Sequence, residues 1–83
     1  MPEIARFLGI IVSMYFDEHD PPHIHVRYNE HRASMDIRSL NLIAGELPAR
    51  VRGLVEEWVE LHRDELLRMW ETGEFHKVEP LVS

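Results

Sequence analysis

The segment Phe16-Asp17-Glu18-His19-Asp20-Pro21-Pro22-His23-Ile24-His25-Val26 gathers three of the chain's six histidines and three carboxylates around a rigid proline pair. In an extended chain neighbouring side chains point to opposite faces, so His23 and His25 share one face while Ile24 and Val26 share the other. Two imidazoles side by side suit a metal ion, a phosphate or a proton transfer, because imidazole is the side chain whose ordinary pKa lies nearest neutrality. The residues alone leave the three open. A divalent metal would be held by His19, His23 and His25, with Asp20 or Asp36 as substitutes for His19. A phosphodiester-handling site would use His23 and His25 as acid and base, with Arg27, Arg32 and Tyr15 contacting phosphate and base.

These side chains need strands to hold them. Ile10–Phe16 is β-branched and aromatic, with Gly9 before it and the acidic Pro-Pro loop after it, and reads as a strand preceded by a short extended piece at residues 4–8. His23–Tyr28 is the next. Residues 32–38 alternate Arg32, Ser34, Asp36 and Arg38 with Ala33, Met35 and Ile37, the pattern of a half-buried strand. A short strand at Leu42-Ile43-Ala44 closes at Gly45.

Asn29-Glu30 between the second and third strands predicts a two-residue turn, since Asn tolerates positive φ. That turn sets His23 opposite Asp36, Ile24 opposite Met35, His25 opposite Ser34, Val26 opposite Ala33 and Arg27 opposite Arg32. Opposed residues lie on one face, and each pair matches polar with polar or apolar with apolar. A slip of one residue would mix the faces. With Val12, Met14 and Phe16 directed inward, the polar face reads Ser13, Tyr15, His23, His25, Arg27, Arg32, Ser34 and Asp36.

The apolar face requires a cover, and the second half of the chain provides one. From Pro48, suited to a first helical turn, Val51, Leu54, Val55, Trp58, Leu61, His62, Leu66 and Met69 follow three-and-four spacing to about Trp70, and Thr72-Gly73 ends the pattern. Trp58 belongs to the core, and His31 and His62 are expected to be structural. Val59, Leu67 and Trp70 widen the stripe beyond what one helix buries, which predicts dimerisation or a partner over that flank. Glu60 with Arg63 and Asp64 with Arg68 are spaced as solvated pairs. Residues 75–83 form a tail that returns to the sheet edge through Val78 and Leu81.

Composition narrows the function classes. At 83 residues the chain predicts a single domain with one modest core, and without cysteine it has no thiolate nucleophile and no cysteine-based zinc or iron–sulfur site. Met1-Pro2-Glu3 does not open a leader, and no apolar run has bilayer length, so a cytoplasmic protein with no membrane role is expected. The net charge of −6 is unevenly spread: residues 1–52 hold six arginines against seven carboxylates, residues 53–83 three basic residues against eight. The acidity lies mainly in the helical half, and Arg27, Arg32 and Arg38 leave the sheet a locally positive surface.

Met1-Pro2, Arg6-Phe7-x-Gly9-Ile10-Ile11, the run His19-Asp20-Pro21-Pro22-His23-Ile24-His25-Val26, Gly45-Glu46-Leu47-Pro48-x-Arg50, Trp58 and Leu61-His62-Arg63-x-Glu65-Leu66 resemble the small prokaryotic domain-of-unknown-function family DUF4160, whose members are often labelled toxin–antitoxin components. The likeness runs from Met1 to about Trp70. Members usually carry an aromatic residue between the two histidines and a Gly in the following turn, where this chain has Ile24 and Asn29. The resemblance implies a β-meander plus helix and a toxin role beside a small cognate, antitoxin-like partner; it implies no catalytic residues.

Together these readings predict an α+β fold: an antiparallel three- to four-stranded β-meander over residues 3–45, covered on one face by one long C-terminal helix over residues 48–70. The function expected is RNA cleavage without metal or other cofactor. One histidine takes the 2′-hydroxyl proton and the other protonates the leaving oxygen, with Asp36 orienting His23, Tyr15 beside them, and Arg27, Arg32 and Ser34 binding substrate. The rival expectation is a non-enzymatic module whose histidine face holds a divalent metal or docks a protein.

Overall fold

The computed structural model describes residues 2–16 and 18–82; Met1, Asp17 and Ser83 lie outside the described residues. Five strands, β1 (Glu3–Phe7), β2 (Ile10–Ser13), β3 (His23–Tyr28), β4 (His31–Asp36) and β5 (Leu42–Gly45), precede one helix, α1 (Ala49–Thr72). The strands form one antiparallel sheet in the order of the sequence, so β3 is its central strand. The fold is the expected α+β meander with a C-terminal helix.

The strand count exceeds the expected three or four because Glu3–Phe7 is a full strand. It joins β2 through a two-residue turn in which Leu8 and Gly9 both take positive φ, 52° and 79°. Leucine seldom adopts that conformation, and nothing in its chemistry announces such a turn. β2 is shorter than expected. It ends at Ser13, Met14 stays buried with its N–H donating to the Pro2 carbonyl, and Phe16, expected inward, is 62% exposed and stacked on Phe75.

The β3–β4 register follows the sequence reading pair by pair, from His23 opposite Asp36 to Tyr28 opposite His31. Asn29 has φ 53°, as the turn demands. Ile10, Val12, Ile24, Val26, Met35 and Ile37 therefore face the helix in one buried cluster with Val51, Val55, Trp58, Val59, Leu66 and Met69. Trp58 is wholly buried against Phe7, with ring centroids 6.0 Å apart.

The helix is rotated from the expected stripe. Val59 is fully buried, and a residue two positions further lies about 200° around the helix, so Leu61 points outward and is 66% exposed while Leu54 is half-buried. His62 breaks the helical dihedrals (φ −119°, ψ 16°) and packs on Trp58. Burial of Val59 inside the chain corrects the expectation that it needs a partner's cover; Leu67 and Trp70 also pack against the core. Arg63 does not form the expected solvated pair but donates from Nε to the Ile37 carbonyl at 3.0 Å, tying helix to sheet. Gly73, left-handed at φ 73°, ends the helix. The tail then covers the β1 edge as expected: the Val78 N–H donates to the Ile4 carbonyl at 2.7 Å, and Trp58 Nε1 donates to the Glu79 carbonyl at 2.8 Å.

Candidate functional site

With one face under the helix, the other face of the sheet carries its polar residues in rows running across the strands. Ser13, His25 and Ser34 form one row, and Ile11, Arg27 and Arg32 form the next. They line a groove of about 630 Å³ to which Tyr15 also contributes.

The histidine pair sits at the start of β3, beside the loop from β2. Alternation along the central strand puts both imidazoles on this face, ring centroids 5.1 Å apart. Trp70 from the helix end packs 5.1 Å from His23, and Tyr15 meets His25 edge-on at 4.8 Å. His23 is thereby largely enclosed, its side chain 12% exposed against 33% for His25.

The loop returns a carboxylate to the pair. Glu18 Oε1 lies 2.5 Å from His25 Nε2 and 3.2 Å from His23 Nε2. On the far side of its ring, His23 Nδ1 lies 2.8 Å from the Pro21 carbonyl, which can only accept, so Nδ1 carries a proton there. In the neutral ring this leaves Nε2 as a bare lone pair aimed at the place where Glu18 and His25 also converge. The Ser34 hydroxyl is 3.4 Å from His25 Nδ1, a weak contact. One donor atom each from Glu18, His23 and His25 lie within 4.8 Å of one another, a grouping that can hold a metal ion.

The expected residues fall out unevenly. His23, His25 and Ser34 come together, and Tyr15 joins them. Asp36 is correctly placed opposite His23, but its Oδ1 accepts from the backbone N–H groups of Arg38 and Ser39, at 2.7 and 3.0 Å, and so shapes the turn after β4. Orientation of the imidazoles by Asp36 is therefore corrected: the carboxylate that meets them is Glu18. His19 is exposed and stands outside the donor cluster, so the expected set His19, His23, His25 is corrected: the residues whose donor atoms converge, and which could hold a metal ion, are Glu18, His23 and His25. Glu18 was missed because the loop holds several carboxylates and no periodicity ranks them. Its one signal is position, five residues before His23 with Pro21-Pro22 turning the chain between.

Arg27 and Arg32 oppose each other across the β3–β4 ladder, both exposed, and among the described residues neither forms a salt bridge. At the β1 side of the groove, Arg6 is already engaged: its Nη2 and Nε donate to Glu3 at 2.8 and 3.1 Å. The hydrogen bond from Arg6 holds the Glu3 carboxyl below the usual glutamate range.

The arrangement can coordinate a cation through two imidazoles and a carboxylate, or share a proton between Glu18 and His25, next to a surface that favours anions. No curated protein and no solved structure matches the chain. The family described as Domain of unknown function (DUF4160) matches residues 9–71, a stretch holding Glu18, His23, His25, Arg27, Arg32 and nearly all of the helix. The chain belongs to that family.

Proposed function

We propose that Glu18, His23 and His25 bind one divalent transition-metal ion and that this ion is the functional centre of the protein. The observation that carries the reading is the convergence of His23 Nε2, His25 Nε2 and Glu18 Oε1, combined with the Pro21 carbonyl that fixes the His23 proton on Nδ1. Metal-bound histidines commonly donate their second nitrogen to a carbonyl or carboxylate, which sets the tautomer and aims the lone pair. Two imidazoles and one carboxylate suit zinc, iron or nickel over calcium or magnesium, and three protein ligands leave positions for water or substrate. Such an ion polarises a bound oxygen and lowers the pKa of bound water. Cobalt(II) titration tests the reading: one equivalent should bring up the visible band of a nitrogen- and oxygen-ligated ion, and Glu18→Gln or His23→Ala should abolish it. Absence of the band in the wild type would end the proposal.

The short Glu18–His25 contact favours a second reading, in which the pair holds a proton and His25 acts as acid or base on RNA without metal. In that reading the chain is the toxin-like half of a two-protein module. RNA cleavage that persists in excess chelator and is lost in His25→Ala would select it, as would growth arrest relieved by co-expressing the neighbouring gene's product.

A further inference from the structure

We infer that the groove beside the Glu18–His23–His25 centre binds the phosphodiester backbone of a single-stranded polynucleotide, one phosphate at the centre and the next between Arg27 and Arg32. The inference rests on the metal reading for its first phosphate position, and on the arginine pair for its second.

Two guanidinium groups directly opposed on a ladder repel each other. Among the described residues Arg6 on Glu3, Arg52 on Glu56 and Arg63 on the Ile37 carbonyl have partners and Arg38, Arg50 and Arg68 do not, but Arg27 and Arg32 are set apart by facing each other across one rung. Arg27 and Arg32 have none among the described residues, in a chain of net charge −6 that offers many carboxylates. An anion seated between them would turn the repulsion into a two-pronged contact, since guanidinium matches phosphate oxygens in a bidentate fork.

Spacing points to a chain of phosphates over a lone one. His25 and Arg27 are two residues apart on β3, hence about 6–7 Å along the face, comparable to the step between successive phosphates of an extended strand. Ser34 stands opposite His25 and Arg32 opposite Arg27, so polar pairs able to meet a phosphate recur on this face at that interval. Tyr15 and Ile11 add ring and aliphatic surface on which bases can rest. The groove lies on an open sheet face, accessible to a flexible strand.

Fluorescence anisotropy with a labelled single-stranded RNA and a DNA of the same sequence, from ~50 to ~200 mM salt, tests this. The wild type should bind both. The double variant Arg27→Ala, Arg32→Ala should bind at least ~10-fold more weakly, and its slope of log affinity against log salt should fall by about 0.7, the value for one lost phosphate position on a single strand. Arg68→Ala, an exposed arginine on the helix, should change nothing. The two proposals separate cleanly: RNA binding by a wild type that takes up no cobalt keeps the second phosphate position and overturns the metal centre, and Glu18→Gln, which takes up no cobalt, should keep the salt-dependent binding that comes from the arginines. Cobalt binding by a wild type that ignores both strands overturns the groove assignment, as does preference for duplex RNA or an unchanged salt slope in the double variant.

Discussion

The β3–β4 hairpin and the loop that precedes it contribute to one cluster by different means. In the hairpin, His23 and His25 are carried on a six-residue ladder whose opposite face is buried under Trp58 and its neighbours, and a slip of one residue would turn every side chain to the wrong side. The imidazole pair is thus a consequence of the fold. The described residues of the loop make no ladder. They are held by the Pro22 carbonyl accepting from the Ile37 N–H at 3.0 Å, by the stack of Phe16 on Phe75, and by the contacts of Pro21 and Glu18 to the histidines themselves. Two of the proposed ligands come with the sheet, and the third is delivered by a segment whose placement depends on meeting them. Damage to the sheet should therefore cost stability and function together, whereas damage to the loop should cost function alone.

Trp58→Ala is the largest test of the sheet side. Removing a wholly buried indole should destabilise the protein by about 3–5 kcal/mol, read as a drop in the urea midpoint, and should lower metal binding only by unfolding the chain. On the loop side, Glu18→Gln should weaken metal binding by at least ~100-fold, above the range for loss of a residue that merely supports a ligand, with the urea midpoint nearly unmoved. A large loss of stability in Glu18→Gln would erase the distinction between the two regions. Gly45→Ala sharpens the sheet side: Gly45 has φ 77° and a Cβ there would collide with the Arg32 backbone, so a cost of about 1–3 kcal/mol is expected at the β4–β5 pairing. The smallest effect belongs to Leu61→Lys, within about 0.5 kcal/mol by the same assay because the side chain already faces water.

Legibility from sequence divides along the same line. The period of two along residues 23–28 and 32–36, with Asn29 able to take positive φ, was enough to give the register, and with it the rows His25–Ser34 and Arg27–Arg32. Trp58, the helix stop at Gly73 and the return of Val78 were legible for similar reasons, each resting on a local pattern tied to one geometry. The Leu8-Gly9 turn was not, because leucine at positive φ is a tertiary imposition. Neither was the burial of Val59 in place of Leu61, since both residues fit an apolar stripe and only the helix's rotation on the sheet decides between them. Asp36 illustrates the limit within the site: its register was readable, but the competing backbone N–H groups of Arg38 and Ser39 were not. Glu18 depends on a loop path that no periodicity encodes.

The central claim is that Glu18, His23 and His25 act as one centre through the two Nε2 atoms, and long-range proton–nitrogen NMR of the imidazoles during zinc titration tests it most directly. Before zinc, His23 should show its proton on Nδ1, as the Pro21 carbonyl requires. At one equivalent, Nε2 of His23 and of His25 should shift together while His19, His31, His62 and His76 stay in place. Zinc that leaves both Nε2 resonances unmoved, or that shifts His19 or His76 in their stead, would contradict the account.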